Sequence, residues 1–260
     1  MVLGEHKLLV IFAKHYPYLR FMKLDILAFA AHPDDVELSC AGTILKHVAA
    51  GNKVGIVDLT RGELGTRGTP ELRLQEAAKA AEILGLSARE NLGMADGFFE
   101  VNKDNQLALI RMLRKYRPEI VLANAVHDRH IDHGRASRLA SEACFLSGLR
   151  KIETELEGHP QEAWRPKAVY HYIQDRFIKP DFVVDITPFI DKKMEAMMAF
   201  ASQFNHVPGS NEPQTPISSP EFVEFIKSRA ANFGRDIGAQ YGEGYTVERT
   251  PGVNSFFDLL

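Results

Sequence analysis

Cysteine is scarce in this sequence, and its scarcity excludes two classes of small fold. Only two cysteines occur among the 260 residues, Cys40 and Cys144, and they form no CxxC pair. A disulfide scaffold or a zinc ribbon needs several closely spaced cysteines. We therefore expect a cytoplasmic protein that is held together by a hydrophobic core.

The sequence also lacks a basic surplus and a long apolar run. Its formal net charge is -3, which argues against a broad nucleic-acid footprint. The apolar run at residues 8–13 is too short to span a bilayer and has no signal-peptide cleavage site. We therefore expect neither a nucleic-acid partner nor a membrane partner. Because a clean strand pattern opens near Lys23, residues 1–22 are interpreted as an N-terminal extension and residues 23–260 as a single domain.

No phosphate-binding glycine loop follows the first apolar strand. The glycine-rich stretch GELGTRG, residues 62–68, comes after the second strand and has the spacing GxxGxxG. That spacing differs from the dinucleotide fingerprint, and the P-loop lysine is missing as well. A loop of this kind that carries Glu63 fits a substrate-contacting lid, although a mobile loop with solvated charges remains the alternative.

The order of apolar segments predicts the fold class. Continuous apolar strands alternate with amphipathic helices through the first half, with strands at 24–31, 54–59 and 119–125 and helices at 37–50, 69–85, 105–116 and 133–147. Two further strands (167–173 and 182–186) and two helices (188–203 and 220–234) follow, with a Pro- and Ser-rich loop between those helices. This alternation predicts an α/β, Rossmann-like, doubly wound and mostly parallel sheet with helices on both faces.

Two polar clusters follow strands that should be neighbours in such a sheet. HPDD, residues 32–35, comes directly after the first strand, and HDRHIDH, residues 127–133, follows the third. Parallel strands bring their carboxyl ends to one edge, where ligands bind. Either cluster alone could be a polar surface turn, with a carboxylate favoured near a helix N-terminus. Together they supply the two nitrogens and one carboxylate of a catalytic zinc site.

The motifs as a set resemble the PIG-L/LmbE-like family of zinc-dependent N-acetylglucosamine deacetylases. The resemblance rests on AHPDD, GELGTRG, RLQEA, LGMADG and HDRHIDHGRA, and it extends from about residue 23 to the end. The C-terminal stretches VYHYI, SQF and RAANFGRDIGAQYGEGY are most similar to the bacillithiol-biosynthesis branch, which deacetylates N-acetylglucosaminyl malate. The resemblance implies an enzyme acting on a small N-acetylated glucosaminide, and a homo-oligomer, either a trimer or a hexamer.

The resemblance also implies roles for particular residues. It makes His32, Asp35 and His133 the ligands of one Zn²⁺ per chain, with another divalent metal as the alternative. Asp34 corresponds to the general base. His130 corresponds to the residue that stabilises the oxyanion, with Asp132 orienting it, and either Asp34 or His130 could be the general acid.

Three further residues are expected on the substrate side. Arg73 matches an arginine that contacts the sugar, Glu63 lies in the glycine-rich loop, and Arg129 is placed near an acidic aglycone. Where relatives have a second proline in the histidine motif, this chain has Ile131, a change that removes no ligand.

Other functions stay open at this point. The chain could deacetylate another N-acetylated sugar, or act as an amidase of thiol conjugates. A phosphoesterase would need a second metal and more carboxylates than the motifs supply. A non-catalytic metal- or sugar-binding module would have no need of Asp34 or of the His130–Asp132 pair.

Overall fold

The computed structural model describes residues 22–204 and 213–259. The predicted N-terminal extension therefore lies outside the described residues except for Met22, and so does the first half of the Pro- and Ser-rich loop. The single-domain interpretation of residues 23–260 stays a prediction.

A seven-stranded sheet forms the centre of the described structure, in the order β3-β2-β1-β4-β7-β9-β8. Its strands are β1 (Ile26–Ala30), β2 (Val54–Thr60), β3 (Ala88–Met94), β4 (Ile120–Ala123), β7 (Ala168–Tyr172), β8 (Phe182–Asp185) and β9 (Gly242–Val247). The pairs from β3 through β7 are parallel, whereas β9 runs antiparallel to both β7 and β8. A separate two-stranded ribbon consists of β5 (Glu155–Leu156) and β6 (His159–Pro160).

Helices cover both faces of this sheet, which confirms the predicted α/β architecture. They are α1 (Asp35–Ser39), α2 (Ala41–Ala49), α3 (Pro70–Leu84), α4 (Lys103–Tyr116), α5 (Ile131–Ser147), α6 (Ile190–Met198), α7 (Ala201–Phe204) and α8 (Pro220–Asp236). Consecutive residues of β1 face opposite sides of the sheet. Phe29 packs in the hydrophobic cluster that includes α4 and α5, and Ala28 packs in the cluster that includes α1 and α2. Among the described helices, none is both long and apolar enough to cross a bilayer.

The predicted helix 37–50 is two helices in the structure, because α1 and α2 meet at a bend. Cys40 between them has φ -137° and ψ 16°, outside the helical region. The new N-terminus of α2 is capped by Glu243 of β9, whose carboxylate accepts from the Gly42 N–H at 2.9 Å and the Thr43 N–H at 2.7 Å. Lys193 of α6 lies 2.6 Å from the same carboxylate. A cap supplied from so far along the chain leaves no local signal in the sequence.

Strands β3 and β9 were not predicted, since neither has an apolar pattern. In β3, Arg89 is buried and contacts Asp58 of β2 at 2.9 Å, so a charged residue occupies a core position. In β9, the glycines allow close packing: a Cβ on Gly242 would lie 2.5 Å from a Val183 methyl, and one on Gly244 would lie 3.0 Å from the Phe233 ring. The close packing of β9 requires glycine at these two positions. Because glycine has a low strand propensity, the sequence pattern did not indicate a strand.

Candidate metal centre

The two histidine clusters meet at the carboxyl edge of the sheet. His32 follows β1, whereas His130 and His133 stand at the start of α5 after β4. The ring centroids are 4.6 Å apart for His32 and His130, 5.6 Å for His32 and His133, and 5.2 Å for His130 and His133. One nitrogen from each ring lies within 4.8 Å of the other two, close enough for a shared ion.

Asp35 places its carboxylate against two of these rings. Its Oδ1 lies 3.0 Å from His133 Nε2, and its Oδ2 lies 3.6 Å from His32 Nδ1. Two amides hold this carboxylate, Asn124 at 3.0 Å and Gln174 at 3.1 Å. Because Asp35 is buried, its orientation is fixed by these donors rather than by water.

In His32 and His133, the ring nitrogen that does not face Asp35 contacts another carboxylate. His133 Nδ1 is hydrogen-bonded to Asp128 Oδ2. His32 Nε2 lies 3.0 Å from Asp96 Oδ1 and 3.4 Å from Asp132 Oδ2. Carboxylates in this position fix the ring orientation of metal-binding histidines and raise their basicity. They leave His32 Nδ1 and His133 Nε2 as the atoms available to an ion.

The carboxylates of the metal centre stabilise positive charge on His32 and His133. Burial by itself lowers the pKa of His133, but Asp35 and Asp128 outweigh it and raise this pKa to about 9. Burial likewise opposes protonation of His32, yet the surrounding carboxylates raise its pKa well above the usual value. Protonated imidazoles balance the carboxylates here, and a divalent cation would balance them in the same place.

A second group of potential ligand atoms, from His32, Asp96 and Asp132, also lies within 4.8 Å. Its carboxylates are occupied by other donors. Asp96 accepts from the Leu64 N–H at 2.9 Å, and Asp132 accepts from the Gly97 N–H at 2.7 Å. We therefore favour His32 and His133 of the first group, together with Asp35, as the metal ligands.

Asp34 behaves differently from its neighbour Asp35. It precedes α1 but makes no side-chain capping bond, so its carboxylate is not the helix cap that a polar turn would supply. Its backbone has φ 121°, a strained value for a non-glycine residue. The side chain accepts from Arg73 Nη2 at 2.7 Å and lines the adjacent cavity. Burial raises the pKa of Asp34 to about 7 despite the Arg73 charge.

The contact between His130 and Asp132 is made by the main chain of Asp132. His130 Nδ1 accepts from the backbone N–H of Asp132 at 3.3 Å, so the main chain fixes the ring. The Asp132 carboxylate instead lies beside His32 and accepts from Arg135 at 2.9 Å. The orienting role of Asp132 stays a prediction: in this structure its backbone N–H contacts His130, whereas its side chain lies beside His32. Burial and the other two histidines lower the pKa of His130.

A cavity of about 700 Å³ opens from the histidine cluster toward α8. The polar floor carries His32, Asp34 and His133. Several of its walls are apolar, lined by Leu38, Leu64, Phe98, Ile131, Phe222 and Ile226. Leu64, Phe98 and Ile131 are exposed to solvent and therefore lie toward the mouth.

The residues expected on the substrate side occupy three different positions. Arg73 lines the cavity, and Arg129 also lines it while paired with Asp175 at 2.6 Å. Glu63 is not among the lining residues; its carboxylate accepts from the Asp96 N–H at 2.9 Å and braces the glycine-rich loop. A direct contact between Glu63 and a substrate would have to replace that bond.

The sequence reasoning missed five supporting residues. Asp96 and Asp128 lie inside the motifs LGMADG and HDRHIDH, so those motifs carried a usable signal. Asn124 ends the third predicted strand, where a polar residue facing the sheet edge could have been noticed. Gln174 and Arg229 reach the centre from the second half of the chain, and no local pattern marks them.

Comparison with known proteins agrees with this geometry. Residues 27–144 match the PIG-L family, described as GlcNAc-PI de-N-acetylase. The 4-oxalmesaconate hydratase of Pseudomonas putida is 30% identical over 193 residues, which cover 68% of this chain and 73% of that protein. This chain belongs to the PIG-L family.

Other relatives match over most of their length. The diacetylchitobiose deacetylase of Thermococcus kodakarensis is 28% identical over 244 residues, covering 88% of this chain and 84% of that one. A conserved protein from Thermus thermophilus has a crystal structure that matches with a TM-score of 0.79 and 39% identity, over 90% of this chain and 98% of that chain. The family resemblance is thus confirmed, whereas the bacillithiol branch stays a prediction.

The donor set of this PIG-L chain fits zinc. Two imidazole nitrogens and one carboxylate are the ligands of many catalytic zinc sites, which keep one position open. His32, Asp35 and His133 supply this set, and each imidazole carries a carboxylate on its other nitrogen. Neither Cys40 nor Cys144 belongs to this donor set, because both are buried in the hydrophobic core.

Proposed function

We propose that this PIG-L protein is a zinc-dependent N-deacetylase that hydrolyses the acetamido group of a glucosaminide and releases acetate and a free amine. N-acetylglucosaminyl malate, from bacillithiol biosynthesis, is the substrate favoured by the C-terminal resemblance. One observation carries the proposal: the carboxylate of Asp35 lies between His32 and His133, while the adjacent Asp34 lines the same cavity.

His32, Asp35 and His133 would hold the zinc ion. When bound, zinc polarises an amide carbonyl and lowers the pKa of water toward neutrality. Asn124 and Gln174 keep the Asp35 carboxylate turned toward the two rings. These two amides cannot take up charge, so they orient the carboxylate without neutralising it.

Asp34 is the general base in this proposal. A base works best when its pKa is close to the working pH, and burial brings that of Asp34 to about 7. The Arg73 guanidinium fixes one carboxylate oxygen at 2.7 Å and leaves the other for the proton of the attacking water. A cation held by neighbouring Asp35 would lower this pKa and keep Asp34 ionised.

His130 stabilises the developing oxyanion. Its Nδ1 accepts a backbone N–H, so the neutral ring carries its proton on Nε2. The lowered pKa of His130 favours this neutral form, which donates a hydrogen bond without needing a charge. The departing nitrogen must gain a proton to leave as an amine. Asp34, protonated by the attacking water, can supply it, and His130 can supply it only from its protonated imidazolium form.

Acetate and amine release from a substrate panel test the proposal. Zinc-loaded protein is assayed with N-acetylglucosaminyl malate, N-acetylglucosamine and diacetylchitobiose, and with Asp34→Asn as the matched control. We expect equal amounts of acetate and amine from at least one glucosaminide and a large loss in the control. Absence of acetate from every member of the panel would contradict the deacetylase function.

A second candidate function is the addition of water to a carbon–carbon double bond. It is favoured by one observation, the 30% identity to a hydratase that covers 73% of that relative. A metal ion and a general base can serve hydration as well as amide hydrolysis. Loss of ultraviolet absorbance from an unsaturated dicarboxylate, without acetate release, would favour this alternative.

A further inference from the structure

We propose that Arg229 forms an anion subsite in the cavity and binds a carboxylate on the part of the substrate beyond the acetamido sugar. This inference rests on the proposed deacetylase function and names the residue that selects an acidic aglycone. Arg229 lies on α8 and lines the same cavity as Asp34 and His133.

Among the described residues, the bonding of Arg229 leaves its guanidinium without a carboxylate in contact, and Asp175, Glu243 and Asp128 act on it only from a longer distance. Its guanidinium donates to two main-chain oxygens, Leu38 O at 2.9 Å and Gln174 O. No carboxylate in residues 22–204 or 213–259 forms an ion pair with it within 4.0 Å. A guanidinium has five N–H groups, so these two bonds leave three of them unused. The Arg229 guanidinium carbon also lies 5.6 Å from the centroid of the Phe225 ring.

The other arginines of the cavity differ in this respect. Each of them already contacts a carboxylate: Arg73 with Asp34 at 2.7 Å, Arg129 with Asp175 at 2.6 Å and Arg135 with Asp132 at 2.9 Å. An incoming anion would compete with those partners, whereas at Arg229 it would meet a cation that no carboxylate of the described residues contacts directly. The sequence-based placement of an acidic aglycone near Arg129 therefore moves to Arg229.

The position of Arg229 suits the far end of a substrate. Gln174 links it to the metal centre, since the Gln174 backbone accepts from Arg229 while its side chain donates to Asp35. Phe222 and Ile226 on α8 line the same wall of the cavity. A volume of about 700 Å³ is in the range of drug-sized ligands, so there is room for a group beyond the reacting sugar.

The local environment makes an anion a favourable occupant. Burial lowers the pKa of Arg229 to about 10, so the residue stays cationic at neutral pH while its charge is poorly solvated. A carboxylate would restore the electrostatic balance and would match the planar fork of the guanidinium. Together with the two carbonyl contacts, which fix the fork, this arrangement is a preorganised site.

The test compares an acidic substrate with its neutral diester, which also carries two additional methyl groups. kcat/KM is measured for N-acetylglucosaminyl malate and for its dimethyl ester, in the wild type, Arg229→Gln, Arg229→Lys and Arg129→Gln. We expect the ratio of the acidic to the neutral substrate to fall by about 10- to 100-fold in Arg229→Gln, mainly through KM of the acidic one. Arg229→Lys should keep part of the preference, and Arg129→Gln should keep nearly all of it.

The ratio separates a binding role from a structural one. If Arg229 only ties α8 to Leu38 and Gln174, both substrates lose activity together and the ratio does not change, which overturns the inference. A fall of the ratio in Arg129→Gln alone, or an absence of charge preference in the wild type, overturns it as well. Zinc content is measured in every variant, and Arg229→Lys serves if Arg229→Gln fails to fold.

Calorimetry measures the affinity for the same two glycosides and therefore tests the anion subsite without relying on catalysis. If the wild type releases no amine but binds the acidic glycoside more tightly than its ester, the proposed function fails and the subsite stands. Tighter binding that persists unchanged in Arg229→Gln contradicts the subsite whatever the reaction.

Discussion

Two buried charge clusters on this sheet differ in how their charges are balanced. Lys193 and Glu243 form one closed pair, and the Glu243 carboxylate also accepts from Gly42 and Thr43. At the metal centre, four carboxylates instead surround the two imidazoles of His32 and His133, namely those of Asp35, Asp96, Asp128 and Asp132. A cluster whose charges are balanced within the chain can stabilise the fold. The metal centre has more carboxylates than imidazoles, and this excess of negative charge favours the binding of a cation.

The two clusters are close neighbours, which makes the contrast informative. Asp35 begins α1 and Glu243 caps α2, so the two short helices connect them. Because the chain bends at Cys40, the N-terminus of α1 lies at the metal centre, and the N-terminus of α2 lies at the Lys193–Glu243 pair. Substitutions in the first cluster should therefore change stability, and substitutions in the second should change metal content or activity.

The largest expected effect comes from removing a metal ligand. His133→Ala should lose bound zinc, and deacetylation should fall by about 1,000-fold or more, because several kcal/mol of transition-state stabilisation depend on the ion. Metal analysis and amine release measure this. His159→Ala is the matched control, since His159 lies in the small β5–β6 ribbon. Full zinc content in His133→Ala would contradict the ligand assignment.

Replacement of the proposed base should separate chemistry from metal binding. Asp34→Asn keeps the shape of the side chain but cannot take a proton, so activity should fall by about 100- to 10,000-fold. Zinc content should remain near that of the wild type, because Asp35 and both imidazoles are unchanged. Wild-type activity in Asp34→Asn would exclude Asp34 as the base.

Breaking the closed pair should act on folding. Lys193→Met leaves the Glu243 carboxylate buried without its cation, and the free energy of unfolding should fall by about 3–5 kcal/mol. Denaturant unfolding measures the change. The double variant Lys193→Met/Glu243→Gln should recover part of the loss, and zinc per folded chain should be unchanged. Equal stability in Lys193→Met would show that the pair contributes little.

Removing one supporting carboxylate should have the smallest effect. Asp128→Asn weakens the acceptor on His133 Nδ1, so zinc affinity should fall by about 10- to 100-fold while the ligand atoms remain. Competition with a chelator measures the affinity. Unchanged affinity would mean that the backbone at the start of α5 is enough to orient His133.

Much of the fold and the metal centre follows from local sequence. The apolar segments predicted β1, β2 and β4, which pair in parallel, and the HPDD and HDRHIDH motifs stand where β1 and β4 end. Helix α3 begins and ends as predicted, because Thr69 caps it and Gly85 adopts φ 68°. In each case the residues that predict the element lie within the element or within a few residues of it.

The parts that the sequence did not predict depend on distant partners. The bend at Cys40 depends on Glu243, and β9 is recognisable only from the packing of its glycines against α8. Gln174 and Arg229 reach the cavity from the second half of the chain. The two contacts of Asp132 also have no local signal: its backbone N–H donates to His130, whereas its carboxylate lies beside His32.

Zinc titration of the metal-free protein is the most direct test of the central claim. Acetate release from a glucosaminide is followed while zinc is added to protein that has been stripped with a chelator. We predict that activity rises in proportion to bound zinc and saturates at about one ion per chain, as expected for a single three-ligand site. Full activity in the stripped protein, or saturation with zinc and no acetate, would contradict it.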